Sequence, residues 1–203
     1  MKSAACVVLL SCFALTSLAT AANTIDFSNG GGTLSGTNAG LTLSGSMLIA
    51  VTGLNGGGLI SGNLGTVSFT TGALASGSLT MGGTLAAGGT FTINGNGTNG
   101  IPSGVLFSGT FSAPITWTFT TLANGTHNYT LTGVLTGMLG GTSVSAVTVQ
   151  LTANTGSGFF NGSTLISGGD TTVASVPEPS TLALFATGSM SLLGMMRRKL
   201  SAR

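Results

Sequence analysis

Charge is what this sequence has least of. Of its 203 residues, five are Lys or Arg and three are Asp or Glu, and no formally charged side chain lies between Asp26 and Asp170. Lys2 stands at one end and Arg197, Arg198, Lys199 and Arg203 at the other, so the basic balance belongs to the tails. Nucleic-acid binding needs a Lys/Arg surface to neutralise phosphates; without one, no nucleic-acid partner is predicted. Cysteine is almost missing, with Cys6 and Cys12 the only two. If the first segment is removed, no disulfide, thiolate nucleophile or Cys metal site remains. Helix-forming polar residues are scarce as well: Gln150 is the only glutamine in the chain.

These shortages leave little for catalysis. His127, the only histidine, sits beside a predicted turn in "NGTHNYT" and reads as a satisfied surface or strand-end residue rather than a general base. Asp26 and Asp170 are the only carboxylates of the middle region. They could meet, because chain termini often lie close together, but glycosidase chemistry also needs a cleft and a defined separation. They read as two loop aspartates. "SGGDTT" has too few acidic ligands for a calcium loop, and the glycines are spread along the chain instead of forming a phosphate-binding motif. The middle is therefore read as non-enzymatic, with no cofactor or metal.

What is present, from about residue 22 to 174, is Gly, Thr, Ser, Asn and aliphatic residues in period-two alternation. Leu41, Leu43, Met47, Ile49 and Val51 share one parity; Val67 with Phe69, Phe91 with Ile93, and Val105 with Phe107 and Phe111 repeat it. In "ITWTFT", Ile115, Trp117 and Phe119 point one way and Thr116, Thr118 and Thr120 the other. His127, Tyr129 and Leu131 continue the pattern, then Val147, Val149 and Leu151. Half-buried antiparallel strands read this way. Asn-Gly pairs begin at Asn29, Asn55, Asn94, Asn96, Asn99, Asn124 and Asn161 and suit tight hairpin turns. "TWTFTTLANGTHNYTLTG" reads as one complete hairpin with Asn124-Gly125 at its tip.

The predicted fold is all-β, an antiparallel β-sandwich or jelly-roll-like domain. A β-solenoid is the alternative, although no fixed-length repeat is present, and the Gly-rich opening leaves local disorder as a third option. Strand faces of Thr and Ser, without the Lys and Glu that discourage edge pairing, predict a surface tolerant of close association with itself, a polysaccharide or a cell envelope. Sequons at Asn96, Asn124, Asn128 and Asn161 mark glycosylation sites only by pattern.

The two ends are addresses. "MKSAACVVLLSCFALTSLATAAN" has a Lys, an apolar stretch, then small residues, with Ala19 and Ala21 fitting the A-x-A cleavage rule. Residues 1–21 are thus predicted to be a helical signal peptide, handled by the secretion translocon and signal peptidase. "LLSC" ending at Cys12 leaves lipidation as an alternative. At the other end, Pro177 and Pro179 hold Val176 and Glu178 away from the helical region, presenting one carboxylate on an extended segment. The uncharged run from Ser180 to Met196 would span about 25 Å as a helix at ~1.5 Å per residue, the short end for a single transmembrane helix. Arg197, Arg198 and Lys199 would anchor its end in the cytoplasm.

"VPEPSTLALFATGSMSLLGMMRRKL", Val176 to Leu200, resembles the PEP-CTERM sorting signal of Gram-negative bacteria: motif, apolar helix and basic tail occur in that order. The resemblance implies that residues 175–203 are a sorting signal, with Val176, Pro177, Glu178 and Pro179 recognised by an exosortase, a membrane protease. It implies an exported protein, an intermediate in the inner membrane, and a final place at the cell surface or outside the cell, with exopolysaccharide and biofilm matrix as surroundings. The function read from all this is a structural surface or matrix protein. The alternative is a secreted carbohydrate-binding module or, less favoured, an ice-binding one. Trp117 and Tyr129 are the aromatic candidates for a sugar, though both fall on the core parity, and Thr116, Thr118 and Thr120 form one short T-x-T-x-T face.

Overall fold

The computed structural model describes residues 24–174. In chain order the strands are β1 (Thr24–Gly30), β2 (Thr33–Thr37), β3 (Gly40–Thr52), β4 (Ile60–Thr70), β5 (Leu74–Ser78), β6 (Gly82–Leu85), β7 (Gly88–Asn96), β8 (Ser103–Phe111), β9 (Ile115–Thr121), β10 (His127–Leu139), β11 (Thr142–Asn154), β12 (Ser163–Leu165) and β13 (Gly168–Ala174). Every pairing is antiparallel, unlike the parallel coils of a solenoid. The Gly-rich opening forms strand from Thr24 to Gly30 and Thr33 to Thr37.

All thirteen strands belong to one sheet, not to the two facing sheets of a sandwich. The path β11-β13-β1-β3-β4-β7-β8-β10 returns to β11, closing an eight-stranded antiparallel barrel. Strands β9, β6 and β5 branch from β10, while β2 and β12 branch from β3. Closure answers the shortage of edge charge. A closed barrel has no edges, and the branches end on the short strands β5 and β12, a second natural device against edge-to-edge pairing.

The alternation is right in most strands and fails where the register shifts. In β3, a shift between Leu43 and Ser46 spans Gly45, which adopts φ +68°, a left-handed conformation that glycine takes without the Cβ penalty. The bulge inverts the parity. Ser46 and Leu48 turn inward, and Met47 and Ile49, which period two places in the core, are 42% and 41% exposed. A second shift between Leu48 and Ala50 returns Val51 to the core. In β8 the pairing steps from Phe107 to Val105, so Leu106 is buried and Val105 faces out. One extra residue in a strand re-aims every side chain beyond it.

Turn signals divide in the same manner. Asn99 and Gly100 both have positive φ, and Ile101 N–H bonds Thr98 O at 2.9 Å, which is the type I′ turn that Asn-Gly favours. Asn124-Gly125 forms the tip between β9 and β10. Asn29, by contrast, lies inside β1 beside a bulge, buried, with its amide donating to Ser46 Oγ at 2.7 Å. Asn94 also lies inside a strand, β7.

The core has two aromatic groups. Phe69 and Phe91 stack at 5.8 Å, with Phe111 edge-on to both. Trp117 stacks on Tyr129 at 5.1 Å, and their polar atoms are satisfied: Trp117 Nε1 donates to Leu79 O at 2.9 Å and Tyr129 OH to Thr80 O at 2.7 Å. Tyr129 OH also accepts from Phe160 N–H at 3.0 Å. Thr171 is the exception, fully buried with no partner for its hydroxyl. An unmade buried hydrogen bond costs about 1–3 kcal/mol. Thr171→Val is therefore expected to raise the melting temperature, by about 2–4 °C for each kcal/mol recovered; thermal unfolding followed by circular dichroism checks it, and a lower melting temperature would contradict it.

Thr24 and Ala174 are register partners at the ends of β1 and β13. The predicted signal peptide with Ala19 and Ala21, the motif residues Val176 to Pro179, the predicted membrane helix and the basic residues Arg197 to Lys199 all lie outside the described residues. Among the described residues, no helix is long and apolar enough to cross a membrane.

Candidate functional site

Strand β10 changes partners along its length. His127–Thr132 pairs with β9, and Leu135–Leu139 pairs with β8. Gly133 and Val134 fall at the fork, where Ser112 turns the chain between β8 and β9 by donating N–H to Val134 O at 2.9 Å. The opening forms a cleft of about 440 Å³ on the outer wall of the barrel. From Pro114 and Thr116 on one side it crosses β10 and β11 to Asp170 and Thr172 of β13.

The register sets residues of the lining and their neighbours on β1 in two rows. In the first, Thr116 faces Thr132, Thr132 faces Gln150, Gln150 faces Asp170, and Asp170 faces Ser28. In the second, Val134, Thr148, Thr172 and Asp26 follow one another. The T-x-T-x-T face of β9 is likewise not isolated, because Thr132 and Thr130 of β10 stand opposite Thr116 and Thr118. The hydroxyl face runs into the cleft.

Asp26 and Asp170 are not loop residues. They lie on β1 and β13, and pairing of the first and last strands brings them together. The opposite strand supplies a hydroxyl to each: Ser28 Oγ donates to Asp170 Oδ1 at 3.0 Å, and Thr172 Oγ1 to Asp26 Oδ1 at 2.8 Å. Partial burial raises the Asp170 pKa above its ordinary value; the Ser28 hydrogen bond opposes this, and the charge of Asp26 and a hydrogen bond with it add to the rise. Each carboxylate is thus engaged by a hydroxyl of the opposite strand.

A carboxyl group whose folded pKa is raised binds its proton more tightly in the native state, so its stabilising contribution is complete below the unfolded value and is lost as pH rises through the folded one. The melting temperature is therefore expected to fall as pH rises from about 4 towards neutrality, the unfolded carboxyl titrating near ~3.9. Asp170→Asn is expected to flatten that slope and raise the melting temperature at pH 7. A melting series across this range checks both, and a melting temperature that climbs with pH would contradict them.

The other sequence candidates lie elsewhere. His127 is half-buried at the end of β10, with Nδ1 3.2 Å from Gly158 O and its ring against Phe159 and Phe119 at 4.5 and 5.1 Å. Trp117 and Tyr129 are core residues, 1% and 0% exposed, and present no face to a sugar. Among the described residues, no group of three or more His, Cys, Asp or Glu is placed to hold a metal ion. Of the sequons, Asn96 has its amide donating to Asn63 O at 2.8 Å, and Asn128 accepts from Asn154 at 2.6 Å. Gln150, Thr148, Thr172 and Ser28 were not legible as site residues. The usable signal was rarity, since the chain's one glutamine lines the same cleft as one of its few carboxylates.

The family model described as the PEP-CTERM protein-sorting motif matches residues 175–199. The chain carries a PEP-CTERM protein-sorting motif. The match begins immediately after β13 and includes Pro177, Glu178 and Pro179 as well as Arg197, Arg198 and Lys199. A PEP-CTERM motif implies export and exosortase-dependent processing at the membrane on the way to the cell surface. No curated protein and no solved structure matches the chain.

Proposed function

We infer that this is a non-enzymatic structural protein of the cell surface or extracellular matrix, delivered there when an exosortase processes its C-terminal tail. The PEP-CTERM motif at residues 175–199 carries the reading. Two features support it. The motif follows β13 directly, so the part delivered is a closed barrel, and its strands carry many hydroxyls and, among the described residues, only two charged side chains, Asp26 and Asp170. Expression in matched hosts with and without an exosortase tests it. The protein is expected outside the cell or on its surface only where the exosortase is present, and equal release from both hosts would overturn the reading.

A second reading, that the barrel binds carbohydrate, is favoured by one observation: the fork cleft and its lining of Thr, Gln and Asp side chains.

A further inference from the structure

We propose that the fork cleft binds a neutral saccharide, gripped through its hydroxyl groups by Gln150, Asp170 and the threonines around them. The proposal rests on the carbohydrate-binding reading and adds the site and the class of sugar.

The first ground is convergence. The described residues consist largely of Gly, Thr, Ser, Asn and aliphatic side chains, with one glutamine and two carboxylates among them. Those three exceptional side chains come from β1, β11 and β13, far apart in sequence. Gln150 and Asp170 are register partners in the cleft, and Asp26 stands directly behind Thr172. Strand propensity does not require this, because Asp is disfavoured in strands, and neither carboxylate has a cation among the described residues to offset it.

The second ground is the lining chemistry. Thr116, Thr132 and Thr148 supply hydroxyls that donate and accept, Thr172 an oxygen that accepts because its proton goes to Asp26, Gln150 supplies an amide that does both, and Asp170 accepts. Pro114 and Val134 supply apolar surface. Such a mixture suits a molecule with closely spaced hydroxyls and small C–H patches. An anionic ligand would meet the Asp170 carboxylate and no cation, with Asp26 behind Thr172, which disfavours phosphates and uronic acids. No aromatic side chain lines the cleft, so recognition proceeds through ring hydroxyls rather than by stacking. A volume of about 440 Å³ falls within the usual range for small-ligand sites, and the cleft lies on an open wall that a polysaccharide chain can cross.

The test uses the exported protein purified from culture, on an array of neutral, uronate-bearing and amine-bearing glycans, with calcium chloride alone titrated calorimetrically. The variants are Gln150→Ala, Thr148→Trp to fill the cleft, and Thr66→Ala on β4 as a control, each checked for an unchanged melting temperature. The expected result is retention of neutral glycans, weakened about tenfold or more by either cleft variant, the equivalent of losing one good hydrogen bond, and unaffected by the control. Neutral-glycan binding that survives both cleft variants overturns the assignment of the cleft while leaving the carbohydrate-binding reading intact. Binding to no glycan overturns both. Selective binding of charged glycans, or of calcium alone, overturns the neutral-saccharide proposal.

Discussion

Trp117→Ala is expected to cost about 3–5 kcal/mol, the range for truncating a fully buried aromatic residue. Three losses coincide at this position. The indole is 1% exposed, so its removal leaves a cavity in the core. The stack on Tyr129 at 5.1 Å and the edge contact with Phe160 at 5.7 Å both disappear. Leu79 O loses the indole N–H that binds it at 2.9 Å, which leaves the turn between β5 and β6 held by the Tyr129 OH on Thr80 O. Domains of this size are stable by about 5–15 kcal/mol, so the variant should unfold at a much lower urea concentration. Circular dichroism is the appropriate probe, because the substitution removes the chain's only tryptophan. A midpoint close to that of the unsubstituted protein would mean that the β9–β10 hairpin does not organise this half of the core.

Replacing Pro177, Glu178 and Pro179 together by alanine is expected to abolish release from the membrane while leaving the barrel's melting temperature unchanged. Proline fixes its own φ and disfavours the helical region for the residue before it, whereas alanine carries neither constraint and has the highest helix propensity. Removal of Glu178 also deletes the one acidic group of the motif. The substitutions lie outside the barrel strands, which end at Ala174, so fold and sorting separate cleanly in this variant. Fractionation of cells and medium with an antibody to the barrel reads the result, and undiminished extracellular protein would contradict recognition of the motif.

The strands were legible because burial on one face of a twisted sheet writes a period of two into the sequence, as in Ile115, Trp117 and Phe119. Their parity was not legible beyond a bulge. Nothing local distinguishes Gly45, which inverts β3, from the glycines that simply terminate strands. Closure into a barrel was hidden too, because it depends on β10 pairing with β11 along one side and with β9 and β8 in succession along the other. The cleft exists only where that succession occurs, at Gly133 and Val134. Its polar residues, scattered from Thr116 to Thr172, become neighbours only through the register. The sorting motif is the opposite case: motif, apolar run and basic cluster are contiguous, so the order of residues alone carries the signal.

The most direct measurement is the intact mass of the protein recovered from native culture, compared between the membrane and extracellular fractions. Exosortase-dependent sorting predicts an extracellular form that begins near Ala22, ends close to the Pro177–Ser180 segment and lacks the basic tail, with the longer precursor confined to membranes. An extracellular form that still carries Arg203, or a protein found only in membranes with its full tail, would contradict sorting by processing of this motif.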